Sequence, residues 1–293
     1  LINLDHTSKI SSEESRLKTV DLHVHSNRSD GIFSPDKIIE IVIEKGLAGF
    51  ALTDHDCFDG IALAEEIIRT KQLPLFFIAG CEFSTYLESP GEVHILGYFR
   101  GHSYKKMSGL LDEYIKSRVK RAYRIEACLK KCGIDIKLDD LIKNSGAPIG
   151  RMHIAREMTR LGYTSNNREA FEKYLGRDCS CYIPRREIKT YDLISSIREN
   201  GGRAVVAHPF FLNKPENSQY IDKMIDAGLE GIEFSHPKIN NSLSRKIKEK
   251  YSEKLILTSG SDFHGDEKSE SIGKYGIDVQ TAEKYFPGFS DFS

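Results

Sequence analysis

The chain has 293 residues, 39% of them hydrophobic, enough for one large domain or two modest ones. It has no run of about 18 apolar residues, which excludes a membrane-spanning helix; its polar N-terminus lacks the apolar middle of a secretory signal, so a mature, soluble, cytoplasmic protein is expected. The net charge of −1 excludes a strongly basic binder of long duplex nucleic acid, yet residues 100–185 hold 19 Lys/Arg against 10 Asp/Glu while the remainder carries a net −10.

Up to residue 100 the pattern alternates between strand and helix. The apolar run 20–24 is followed by Ser34-Pro35, an N-cap and first-turn pair, and by Ile38, Ile39, Val42 and Ile43 at helical spacing, with Gly46 as the stop. Strand 49–53 and a helix over 59–70 come next. Strands 73–80 and 93–98 are joined through the Ser-Pro-Gly turn at 89–91. From Ser103 to Cys132 one long amphipathic helix is expected, its buried stripe formed by Met107, Leu110, Leu111, Tyr114, Ile115, Ala122, Ile125 and Leu129. After Ile188 the alternation returns, with helices at 191–200, 220–227 and 242–251 and strands at 203–207, 231–235 and 255–260. Seven strands with intervening helices predict an α/β barrel interrupted by a helical insertion. The expected limits are 18–99 and 186–285 for the barrel, 100–185 for the basic insertion and 1–17 for an N-terminal extension. The six cysteines are expected to be reduced, and Cys128 and Cys132, four apart, to fill core rather than clip a metal.

Seven of the ten histidines lie in or just after these strands: His23, His25, His55, His94, His208, His236 and His264. In parallel α/β folds the C-terminal strand ends build the active site. Residues i and i+2 of a strand share a face, so His23 and His25 point into one cavity, as do Asp262 and His264. Asp30 follows the first pair in a loop, and between the two clusters lie Asp54, His55 and Asp56, Glu82, His94 and His208. Imidazoles with carboxylates and no thiolates suit two or three ions of Mn, Fe or Zn. No G-x-S-x-G elbow or Walker loop points to a covalent or nucleotide-driven route.

The ordered motifs HVHS, TDHD, GCEFS, VHILGY, AHP and SDFH resemble those of the PHP (polymerase and histidinol phosphatase) metal-dependent phosphoesterases. The similarity runs from Val20 to Gly276 and includes GRMHIA, AFEKYLGR and YIPR in the insertion. It implies a distorted (βα)7 barrel with a trinuclear metal site, nearest the branch acting on nucleoside 3′,5′-bisphosphates and short 5′-phosphorylated RNA. On that resemblance His23, His25, Glu82 and Asp262 hold one ion, Asp30, His55 and His264 a second, and Glu82, His94 and His208 a third. Asp262, His264 and Glu82 carry the catalytic role, with a metal-bridging hydroxide as the nucleophile. Arg151 and His153 contact substrate phosphate, with Arg177 and Arg185 as weaker candidates and His236 as a substrate contact or an orienting group. Asp54 and Asp56 are expected to orient or cap; His6 and His102 receive no role. Met152, where Pro is common, and Cys179 and Cys181 depart from the family's pattern. The expected partner is a small phosphorylated nucleotide or short oligonucleotide. A histidinol-phosphate-type phosphatase, an exonuclease and a metal-stabilised nucleic-acid-binding module are the alternatives.

Overall fold

The computed structural model describes residues 19–144, 149–184, 188–265 and 272–291. The N-terminal extension 1–17 and Arg185 lie outside the described residues. In chain order the elements are β1 (Thr19–Val24), α1 (Pro35–Glu44), β2 (Gly49–Leu52), α2 (Ile61–Thr70), β3 (Phe76–Tyr86) and β4 (Glu92–Phe99), then α3 (Ser108–Lys131), α4 (Leu138–Asn144), α5 (Arg151–Arg160) and α6 (Asn167–Ala170). They continue with β5 (Ile188–Lys189), α7 (Thr190–Glu199), β6 (Gly202–Val206), α8 (Ser218–Asp226), β7 (Gly231–Ser235), α9 (Asn241–Tyr251), β8 (Ile256–Ser259), β9 (Ile277–Asp278) and α10 (Val279–Tyr285). Chain contacts define two compact units, 108–187 and the remainder.

In the larger unit the strands follow the order β8-β7-β6-β4-β3-β2-β1-β9, with β5 paired to β3. A parallel bridge between Val24 and Phe263, just past β8, brings the two ends of the sheet together as a distorted barrel. Strand β4 runs antiparallel to both its neighbours, β3 and β6. That reversal places His94, near the start of β4, at the same rim as residues just past the ends of β1, β2 and β6; it is therefore not a C-terminal strand residue as the alternation implied. Strand β3 also runs on to Tyr86, beyond the expected 73–80, because it pairs with β4 in register from Ala79 to Tyr86. Glu82 is consequently inside a strand, held by backbone pairing on one side and bridged to His55 on the other. Val20, Leu22, Ala51, Ile78, Leu96, Tyr98 and Val205 belong to one buried core cluster of this unit.

The smaller unit has its own core, in which Ala122, Ile125 and Leu129 of α3 meet Ile154, Ala155 and Met158 of α5. The helical pattern read from Ser103 divides: 103–107 is a short 3-10 turn belonging to the larger unit. Tyr104 is buried there with its ring 5.2 Å from that of Phe58, so the insertion begins at 108 rather than 100. Leu110, expected in the buried stripe, is 38% exposed. The expectation of reduced thiols is corrected for Cys128 and Cys181, which are disulfide-bonded, so Cys128 is not plain core filling; Cys57, Cys81, Cys132 and Cys179 are free thiols. Among the described residues no helix is long and apolar enough to cross a membrane.

Candidate metal centre

Buried polar side chains converge at one rim of the barrel. Strand alternation aims His23 and, just past β1, His25 into the same cavity. Both Nε2 atoms lie 3.2 Å from Glu82 Oε2, and Asp262 Oδ1 is 3.7 Å from His23 Nε2 and 3.4 Å from His25 Nε2. His55 Nε2 approaches the same Glu82 oxygen at 3.3 Å. The other oxygen, Oε1, meets His94 Nδ1 and His208 Nε2, each at 2.8 Å. Asp30 lies 3.3 Å from His264 Nε2, 3.8 Å from His25 Nδ1 and 3.9 Å from His55 Nε2. One buried carboxylate thus touches five imidazoles, with a second cluster around Asp30.

The donor set fits divalent cations. Three overlapping groups, His23/His25/Glu82/Asp262, His25/Asp30/His55/His264 and His55/Glu82/His94, have ligand atoms within 4.8 Å of one another. His23 Nε2, both ring nitrogens of His25, His55 Nδ1 and Glu82 Oε2 are buried without a hydrogen-bond partner. Orphaned buried polar atoms are costly unless something satisfies them, and a cation shared among them does so.

Neighbouring groups fix the rings. His23 Nδ1–H donates to Glu233 Oε1 at 3.2 Å, and the backbone N–H of His208 donates to Glu233 Oε2 at 2.7 Å. Glu233 therefore sets the tautomer that leaves His23 Nε2 bare. Asp21 accepts from the backbone N–H groups of His23, Ser261 and Gly273, tying β1 to the segment that carries Asp262. His264 Nδ1–H donates to the Asp262 carbonyl at 2.8 Å, freeing its Nε2. Asp54 accepts from the hydroxyls of Ser26 and Ser29, each at 2.6 Å, and braces the loop leading to Asp30. Asp56 accepts from the Ser84 backbone N–H. The motifs do not mark Glu233 or Asp21; the available signal is a lone carboxylate flanked by apolar residues within a short strand. His208 and Asp262 adopt φ of 24° and 53°, strained values that persist where surroundings hold them, commonly at functional sites.

The insertion candidates are engaged within their own unit. Arg151 Nη1–H donates to the Leu175 carbonyl at 3.0 Å, and its guanidinium lies over the rings of Phe171 and Tyr182. His153 Nδ1 accepts from the Gly150 backbone N–H at the start of α5. Arg177 is exposed. His236 is fully buried; its Nδ1 accepts from the Lys238 N–H, so Nε2–H donates to Asp262 Oδ2 at 3.2 Å. Both nitrogens are engaged, and the bond to Asp262 favours the orienting role over the substrate contact among the two expected for His236. Lys238 Nζ stands 3.6 Å from that same Asp262 oxygen.

Burial disfavours the imidazolium, but the facing carboxylates outweigh it and push His25 and His94 each up to about 10. For His55 burial dominates and pulls it down to about 4. Burial also opposes the charges of Glu82, Asp30 and Asp262, yet the surrounding imidazoles hold all three below the ordinary carboxylate range. At pH 7 the metal-free chain thus holds protons on His25 and His94 that an incoming cation must displace. Metal binding is expected to release at least about one proton per chain at pH 7 and to strengthen as pH rises towards 10. Calorimetry with manganese in two buffers of different ionisation enthalpy measures this, and release of no proton would contradict the ligand set.

Imidazoles and carboxylates gathered at one rim of an α/β barrel define a metal-dependent hydrolase. The sequence model of the PHP domain matches residues 21–185, and the chain belongs to that family. It is 32% identical over 254 residues to a 5′-3′ exoribonuclease of Haemophilus influenzae, covering 84% of this chain and 90% of the relative. It is 30% identical over 282 residues to a 3′,5′-nucleoside bisphosphate phosphatase of Chromobacterium violaceum, covering 92% and 94%. A crystal structure of a presumed metal-dependent phosphoesterase from Bifidobacterium adolescentis superposes with a TM-score of 0.79 at 26% identity, covering 92% of this chain and 96% of that one. The chain is a metal-dependent phosphoesterase.

Proposed function

We propose that the chain removes a terminal phosphate from a nucleoside 3′,5′-bisphosphate or from the 5′ end of a short oligoribonucleotide. The observation that carries this reading is a cavity of about 450 Å³ that opens beside His94 and His208 and is walled by Pro90, Phe210, Phe211, Asn213, Lys214 and Asn217, with the Glu92 carboxylate turned to His94 at its edge. Aromatic walls, amides and one lysine suit a flat, polar-edged base and its sugar phosphate. The positions assigned to cations are His23, His25, Glu82 and Asp262; Asp30, His55 and His264; and Glu82, His94 and His208. Two or three ions of manganese, iron or zinc bound there would supply Lewis acidity and an activated water. The protein's part is to keep the donors fixed: Glu233 holds His23, and His236 holds Asp262. Phe210 stacks on His208 with ring centroids 5.2 Å apart, placing the cavity wall against a ligand. Arg151, His153 and Arg177 are assigned to the second phosphate.

The test is phosphate release by the manganese-loaded chain from adenosine 3′,5′-bisphosphate, 5′-phosphorylated oligoribonucleotides and histidinol phosphate. The first two are expected to be preferred; preference for histidinol phosphate, or no release from any with metal bound, would sink the reading. Arg151→Ala should lower kcat/KM for the bisphosphate by about 10- to 100-fold, the worth of a charged hydrogen bond. An aryl phosphate should be nearly unaffected, and an equal loss on both would remove Arg151 from the substrate site.

A further inference from the structure

The metal centre uses no sulfur, yet three of the six cysteines meet in the insertion. Cys128 and Cys132 lie one helical turn apart, at and just past the end of α3. Cys181 is fully buried and disulfide-bonded to Cys128, and Cys132 Sγ, on an exposed residue, stands 3.8 Å from Cys181 Sγ. The three sulfurs fall within one 4.8 Å cluster. A free thiol in van der Waals contact with a disulfide sulfur is the arrangement from which thiol–disulfide exchange proceeds.

We propose that Cys128, Cys132 and Cys181 form a thiol–disulfide exchange site, in which Cys181 is bonded alternately to Cys128 and to Cys132 and which is charged by low-molecular-weight disulfides of the glutathione type. In the exchange, Cys132 gives up its proton to water and attacks Cys181 Sγ. The bond from Cys181 to Cys128 breaks, and Cys128 leaves as the thiolate and takes up a proton, with no net oxidation. Charging the fully reduced chain consumes one small disulfide: two cysteine thiols are oxidised to the protein disulfide, and the reagent is reduced to two thiols.

Two features favour exchange over a fixed bridge. The alternative loops span 53 and 49 residues, and closure entropy varies so slowly with length that neither linkage gains from it. Cys128 and Cys132 are poor partners for each other, since residues four apart on a helix have Cβ atoms about 5–6 Å apart and a disulfide needs about 3.5–4.5 Å. Cys181 is therefore the shared partner. The bridge also lies close in sequence to the residues that hold Arg151, because Leu175 accepts its hydrogen bond and Tyr182 lies under its guanidinium. The bond's position thus bears on the segment that fixes that arginine.

The test uses the full chain carrying Cys179→Ser, so that a peptide bearing Cys181 has no second thiol. After oxidation with glutathione disulfide, free thiols are blocked with N-ethylmaleimide, the sample is acidified and tryptic peptides are mapped by mass spectrometry. Trypsin separates the peptides 125–130, 132–137 and 178–185. Peptide 178–185 is expected linked to each of the other two, with the maleimide divided between Cys128 and Cys132. Label confined to Cys132, with a single 128–181 linkage, would overturn the proposal. The added variant Cys128→Ser should form the 132–181 linkage. If it folds by circular dichroism and Cys132 alkylates completely, exchange is refuted; if it does not fold, the label distribution in the Cys179→Ser chain decides alone.

Discussion

Glu82→Gln is expected to lower kcat/KM on the preferred substrate by on the order of 10³-fold, with loss of bound metal. Outer-shell changes around metal ligands cost about 10- to 100-fold, and Glu82 is more than an outer-shell group in the proposed site. One of its oxygens faces His23, His25 and His55 at 3.2–3.3 Å, and the other faces His94 and His208 at 2.8 Å. An amide keeps the size but offers a single acceptor and no charge, and its NH₂ group turns donors toward nitrogens that must act as ligands. The fold should survive, because the imidazoles left without a carboxylate can shed their protons rather than remain as unpaired buried charge. Metal content by mass spectrometry, circular dichroism and steady-state kinetics separate these effects. Full metal content with near-normal turnover would remove Glu82 from the centre.

Much of this was legible in the sequence because strand periodicity is rigid. His23 and His25 share a face wherever β1 pairs, and the glycines after helices mark real stops, as at Gly201, with φ of 79° just before β6. What could not be read depended on pairing across long separations. Glu233 reads as an ordinary strand carboxylate until β7 brings it 3.2 Å from a ring 210 residues away. The reversal of β4 is invisible in its alternation, because an antiparallel strand has the same period as a parallel one; only the hairpin register with β3 shows that His94 belongs to the rim. Cysteine connectivity is likewise not fixed by spacing, so nothing in the sequence brings Cys128 to Cys181, 53 residues away. For His236 the sequence leaves a substrate contact and an orienting group equally open, because the Lys238 N–H that meets its Nδ1 is a matter of local backbone path.

Gly260→Ala should destabilise the fold by about 3 kcal/mol, the upper end for overpacking, and also lower turnover by on the order of 100-fold. A Cβ at this position would fall 2.2 Å from His23 Cβ and 2.6 Å from the His23 backbone nitrogen. Ordinary contacts between such atoms begin near 3.5 Å, so relief requires the backbone itself to move by about 1 Å. Two hydrogen bonds hold that backbone: Phe263 N–H donates to the His23 carbonyl at 3.3 Å, and His25 N–H donates to the Phe263 carbonyl at 2.9 Å. They seal β1 to the segment past β8, in which Asp262 has a positive φ of 53°. Displacing the segment therefore moves Asp262 and His264 away from His25 together, and a misplacement of about 1 Å is enough to cost two orders of magnitude. Gly97→Ala is the informative control. Its added Cβ would meet only the ends of the buried Phe83, Phe99 and Ile197 side chains at 2.8–3.2 Å and no backbone atom of β1, so the core is strained without β1 being pushed away. Urea midpoints and kcat/KM measured on both variants test the argument. A Gly260→Ala chain as stable and active as the parent would mean that the close approach of β1 and β8 does not hold the centre together.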